Sequence, residues 1–217
     1  MAKTTPWTDD FWLLVLQLYL KHPEGVKPLY SREMVALGME THVPLEELRR
    51  RMEQLERMDK PRLKRFYDRY KGNPSSLSRA VRLLRGMYGF GAAEEFYSGV
   101  GVEETFEKDF RPLDEDPRFT PAMLIMVLNL YVQLTPSTMV EQTPEVVETA
   151  RLIRKQPEEI VEVLQVFALC DPYLNRMDMD PSPLLPACQA VWRRFWGDEW
   201  KRLGTTAGEM AVFFKKQ

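Results

Sequence analysis

The feature that most constrains the fold of this chain is internal similarity at a fixed spacing of 112 residues. The segment from Pro6, Pro-Trp-Thr-Asp-Asp-Phe-Trp-Leu-Leu-Val-Leu-Gln-Leu-Tyr-Leu, has a counterpart from Arg118, Arg-Phe-Thr-Pro-Ala-Met-Leu-Ile-Met-Val-Leu-Asn-Leu-Tyr-Val. Without a gap, Thr8 falls on Thr120, Val15 on Val127, Leu16 on Leu128, Leu18 on Leu130 and Tyr19 on Tyr131. The register continues through Glu33 and Glu145, Val35 and Val147, Glu46 and Glu47 with Glu158 and Glu159, and Asp59 and Asp171. Self-similarity of this kind is read before anything else, because a repeat dictates the architecture. The expectation is two diverged copies of one module, residues 1–112 and 113–217. The competing explanation is two amphipathic helical hairpins that share Leu and Glu by composition alone.

Each copy opens with helix signals. Thr8 is placed as an N-cap with Asp9 and Asp10 in the first turn, and Phe11, Leu14, Val15, Leu18 and Tyr19 recur at steps of three and four. Ser31 is set to cap a short helix carrying Met34, Val35 and Leu37. Pro44 starts a third, striped by Leu45, Leu48, Met52 and Leu55. In the second copy Thr120, Thr143 and Pro157 are the start signals, and Ile160, Leu164 and Phe167 the stripe. Three helices with a tight turn before the third form a trihelical, helix-turn-helix-like unit.

Further helices follow each unit: Leu63 to Tyr70 and Leu77 to Tyr88 in the first copy, and the aromatic segment Ala187 to Leu203 in the second, after a loop with four prolines. Alternating strand patterns are nearly absent, so the expected fold class is all-α, two tandem trihelical modules each followed by extra helices.

A chain of 217 residues that is 44% hydrophobic and 29% charged is a globular protein able to bury a large core. Cys170 and Cys188 build no disulfide framework, the N-terminus carries acids where a signal peptide needs cations, and no apolar run approaches the roughly 20 residues of a membrane span. The expectation is a cytoplasmic protein with no membrane partner.

Certain residues carry a family resemblance. Trp7, Thr8, Leu14, Leu16, Leu18 and Tyr19, and in the second copy Leu130, Tyr131, Pro144, Glu145, Pro157, Phe167, Leu169, Asp171 and Pro172, resemble the N-terminal helical module of a group of bacterial HNH restriction endonucleases. Val191-Trp192-x-x-Phe195-Trp196-Gly197-Asp198-x-Trp200 is similar to the aromatic helix that follows that module, and the Trp-Thr opening also looks Myb-like. The resemblance implies DNA association. It does not imply cleavage, because His22 and His42 are the only histidines and neither sits in an HNH segment. The family's Gly-Arg-Thr-Pro turn is Glu-Thr-His-Val-Pro here in the first copy and Arg-Lys-Gln-Pro in the second, so sequence-specific reading is not carried over.

No nucleophile, base or metal set converges at readable spacing, so the expectation is a non-enzyme with no cofactor, no metal and no evident small-molecule substrate. Gly86-Met-Tyr-Gly89-Phe-Gly91 lacks a preceding strand and reads as a turn that ends a helix.

Charge is more telling. The formal net charge is only −2, yet residues 49–85 carry thirteen Lys and Arg against four acids, and residues 94–116 carry nine acids against Lys108 and Arg111. The basic block begins on the third helix, and it assigns Arg49, Arg50, Arg51, Arg57, Arg62, Lys64, Arg65 and Arg69 to the phosphates of double-stranded DNA, with Tyr67 placed to stack on bases. The competing reading is a protein-protein interaction or adaptor module in which the two blocks pair. The third helix of the second copy carries Glu158, Glu159 and Glu162 and would repel phosphate. That copy offers instead Trp192, Trp196 and Trp200, four residues apart, as anchors for a protein partner, with core packing as the alternative use of that stripe.

Overall fold

The computed structural model describes residues 7–87, 90, 106–174, 182–197 and 200–215. Among the described residues the regular structure is all helical, with no strand. The chain divides into two compact units, 1–107 and 108–217.

In the first unit, α1 (Phe11–Leu20), α2 (Arg32–Thr41) and α3 (Leu45–Arg57) each touch the other two. α1 is the hub. It buries Leu14, Val15, Leu16, Leu18 and Tyr19, an apolar surface wide enough to meet α2, α3 and α5 together. α2 begins where the Ser31 hydroxyl accepts the Met34 N–H at 3.3 Å. It ends in left-handed His42, φ 53°, and Pro44 then sets the chain for α3. Gly38 lets the turn close, because a Cβ there would lie 2.6 Å from Leu45 Cδ2 and 2.8 Å from Phe106 Cζ. α3 drives Leu48, Met52 and Leu55 fully into the core, each contributing about 1.5–3 kcal/mol. α4 (Pro61–Lys71) leans on α3 and α5, and α5 (Pro74–Arg85) packs on α1.

In the second unit, α6 (Pro121–Tyr131), α7 (Pro144–Ile153) and α8 (Pro157–Cys170) again form a mutually contacting trio. α6 is apolar nearly all round and touches the other four α-helices of its unit, including α9 (Leu185–Phe195) and α10 (Trp200–Phe214). The Thr120 hydroxyl caps α6 by accepting the Met123 N–H at 3.3 Å, and α8 starts with Pro157 inside a Gln156–Glu159 capping box. α2 and α7 start and end 112 residues apart, as do the left-handed residues His42 and Arg154 that terminate them, whereas α1 and α6 start 110 apart.

Four local expectations change. Thr8 does not cap α1; its carbonyl accepts the Phe11 N–H in a turn, and Asp10 precedes the helix without a side-chain cap. α5 starts at Pro74, well before Leu77, because Asn73 caps it through Ser76 N–H at 3.0 Å; the apparent breaker is a start signal. Thr143 precedes α7 but donates its hydroxyl to Thr138 O instead of capping. The aromatic segment 187–203 is two helices, since Trp196 is extended and Gly197 takes φ 82°, and the second helix runs on to Phe214.

No helix among the described residues is long and apolar enough to cross a membrane.

Candidate functional site

The basic segment of the first unit divides into cations that are already engaged and cations that are not. On α3, Arg49 lies 3.3 Å from Glu53, and Arg50 and Arg51 share Glu47 at 2.8 and 2.6 Å. Both glutamates are one turn away from their arginines on the same helix, the spacing at which oppositely charged side chains meet. Arg51 is committed further: its guanidinium lies 4.5 Å from the Trp7 ring centroid and 5.7 Å from that of Trp12. Trp7 also packs edge-on against Trp12 and Phe11. Arg51 therefore clamps the segment before α1 to α3 and is the least free of the predicted phosphate contacts.

Long-range pairs engage three more cations. Arg62 meets Asp9 at 2.7 Å, Lys71 lies 3.8 Å from Glu24, and Arg85 holds Glu40 with two donors. The Glu40 carboxylate raises the Arg85 pKa above the ordinary guanidinium value. Lys71, Lys21 and Arg85 line a groove of about 690 Å³ between α1, α2 and α5, where Glu24, Glu33 and Glu40 offset them one for one.

What is left is Arg57 at the end of α3, Lys60, Lys64, Arg65 and Arg69 before and along α4, and Arg79 and Arg82 on α5. All seven are exposed, and among the described residues none forms an ion pair; Arg65 reaches only the Pro61 carbonyl, at 3.4 Å. Glu56, Asp59 and Asp68 are the exposed acids of the same stretch. Arg79 and Arg82 continue a stripe that starts at exposed Ser75, residues three and four apart lying on one helix face.

Tyr67 does not belong to this surface. It is 5% exposed, packs edge-on against Tyr19, and donates its hydroxyl to Glu24 at 2.7 Å. Burial raises its phenol pKa. Its cationic neighbours alone suggest base stacking; α4 instead turns it inward with Leu63.

In the described part of the acidic block three acids are paired, while Asp114 and Glu115 are exposed. Glu107 sits 2.8 Å from His42, Asp109 pairs with Arg194 at 2.7 Å, and Asp116 with Arg118 at 2.8 Å. Glu94, Glu95, Glu103 and Glu104 lie outside the described residues, as do Gly89 and Gly91 of the glycine segment, while Gly86 ends α5 by donating to three carbonyls.

In the second unit the tryptophans divide. Trp192 is buried, Trp196 is 44% exposed, and Trp200 opens α10 with its side chain outside the described residues. They do not form one helical stripe, since Gly197 intervenes. Trp192 and Trp196 instead face a pocket of about 580 Å³ with Tyr131, Tyr173 and Asp171. Sequence reasoning missed this grouping; the signal was the pairing of an aromatic α9 with an aspartate at the end of α8.

Among the described residues no three His, Cys, Asp or Glu side chains are grouped to hold a metal ion. The chain matches no protein-family model, and no curated protein or solved structure matches it.

Proposed function

We propose that the protein is a non-catalytic, DNA-associated protein whose first unit holds the phosphate backbone on the end of α3, α4 and α5. The reading rests on one observation: seven exposed cations on consecutive elements without an ion-pair partner among the described residues. Unpaired surface cations that neutralise phosphates displace the small cations condensed on DNA, whose release is entropically favourable. Arg49 and Arg50 join at little cost, because exposed pairs within a helix are worth only about 0.3–0.5 kcal/mol and their glutamates can be left to water. Arg51, held by Glu47 and two indoles, serves as scaffold.

This revises the set inferred from sequence. Arg57, Lys64, Arg65 and Arg69 stay, Lys60, Arg79 and Arg82 enter, and Arg62, paired with Asp9, and buried Tyr67 leave. The helix-turn-helix-like trio positions the basic elements, and no base-reading residue is assigned.

The test is a salt titration of binding to a generic duplex by the full chain. Lys64→Gln, Arg69→Gln, Arg79→Gln and Arg82→Gln combined should weaken binding and lower the slope of log affinity against log salt by about 0.9 for each phosphate no longer neutralised. A control with Arg151, Arg154, Arg193 and Lys215 changed to Gln, all exposed in the second unit, should leave the slope in place. Absence of binding at low salt, or equal weakening in the two variants, rejects the proposal.

A further inference from the structure

We infer that the pocket formed by Tyr131, Tyr173, Trp192 and Trp196 around Asp171 receives the charged end of a lysine or arginine side chain carried by a peptide or protein partner. It lies within the second unit, and it stands or falls independently of the polyanion surface of the first.

The walls are ring faces. Trp192 and Trp196 lie 5.6 Å apart at 31°, Trp196 and Tyr173 6.4 Å apart at 26°, and Tyr131 meets Trp192 edge-on at 5.8 Å. Core packing accounts for Tyr131 and Trp192, at 6% and 7% exposure. It does not account for Trp196 at 44% or Tyr173 at 85%, which extend the aromatic wall into solvent. An aromatic face is the negative pole of its quadrupole and attracts cations within about 6 Å.

Asp171 supplies the formal charge. Its Oδ2 accepts the Tyr131 hydroxyl at 2.9 Å and its Oδ1 accepts the Tyr173 N–H at 2.9 Å. Both donors are neutral, so they aim the carboxylate without neutralising it. No cation among the described residues forms an ion pair with it. Asp171 is half-buried, and a carboxylate beside low-dielectric rings pulls on an incoming positive charge more strongly than one at an open surface.

The donor set also selects the class of ligand. A single carboxylate with aromatic walls lacks the six or more oxygens that calcium takes, and an anion meets both Asp171 and the ring faces. An alkyl stem ending in a cation satisfies both parts, the methylenes lying along the tryptophans and the head reaching Asp171. The exposed rim argues for a side chain on a larger partner, because a pocket evolved for a free small ligand encloses most of it.

The test follows the indole N–H signals of Trp192 and Trp196 in the NMR spectrum of the full chain. The probes are acetyl-Gly-Ser-Lys-Ser-Gly-amide, the same peptide with norleucine for lysine, and n-butylammonium. The lysine peptide should shift both signals saturably, and the norleucine peptide should bind about tenfold more weakly or worse. Asp171→Asn should weaken the lysine peptide alone, and Tyr173→Ala, which removes an exposed ring, should do so with the fold intact. Equal binding of the two peptides, no shift with either, or an unchanged affinity in folded Asp171→Asn overturns the cation site. Butylammonium binding as tightly as the lysine peptide overturns the assignment to a peptide-borne side chain.

Discussion

His42 and Arg154 stand 112 residues apart and end their helices in the same left-handed conformation, φ 53° and φ 59°. Neither residue type favours it, since a Cβ in this region crowds the following carbonyl. The two differ in what compensates. His42 Nδ1 lies 2.8 Å from Glu107, whose side chain is 5% exposed, whereas Arg154 is exposed. Arg154→Gly should therefore raise stability by about 0.5–1 kcal/mol by relieving strain at a position that suits glycine. His42→Gly should be net destabilising, because removing a partner from a buried polar group costs about 1–3 kcal/mol. Urea melts of the two variants should move in opposite directions.

Gly38 tests the closeness of α2 to α3. Helix propensity favours alanine there by about 1 kcal/mol. The added methyl, however, would sit 2.6 Å from Leu45 Cδ2 and 2.8 Å from Phe106 Cζ, and overpacking a core costs about 1–3 kcal/mol. Gly38→Ala should lower the denaturation midpoint. Gly72→Ala, with nothing within 4 Å of the added carbon, should leave it nearly unchanged.

Acid should weaken the first unit through Glu33. Its hydrogen bond from Lys21, 2.9 Å long, holds the carboxyl below the ordinary glutamate value. A depressed folded-state pKa contributes stability above the unfolded value, near pH 4.3, which is lost as pH falls through the lowered one. Glu33→Gln should lower the Tm at pH 7 and flatten the acid limb of the Tm–pH curve, the two proteins converging at the acid end. An unaltered acid limb would contradict the assignment.

Both thiols should resist alkylation in the folded protein. Burial pushes Cys170 up to about 11, and its Sγ donates to Val166 O at 3.4 Å; Cys188, fully buried, is pushed higher still. The thiolate is the nucleophile, so iodoacetamide at pH 8 should label neither rapidly until urea is added, as mass spectrometry would read.

The all-helical class was legible because its signals are local. Ser31, Pro44, Thr120 and Pro157 act within one turn, and the stripes of α3 and α8 are uninterrupted. Missed starts and stops had equally local but ambiguous marks: Asn73-Pro74 reads as a breaker or a cap, and the four-residue spacing of tryptophans carries the eye across Gly197. The α3 ion pairs were readable in principle from Glu47 and Glu53. The engagement of Arg62 by Asp9 and Arg85 by Glu40 was not, since it depends on segments distant in sequence. Tyr67 shows the same gap, because a phenol among cations points outward or inward according to what packs beside it.

Gly197 has a consequence for evolution of the second unit. An unbroken helix would present its indoles as a row with about 6 Å between successive rungs, a pattern that any substitution elsewhere leaves intact. Here the chain leaves the helix at extended Trp196 and passes through Gly197 at φ 82°, so the third indole opens a separate helix. A substitution at Gly197 thus strains the junction between the two helices through the backbone alone, since an added Cβ meets nothing within 4 Å there.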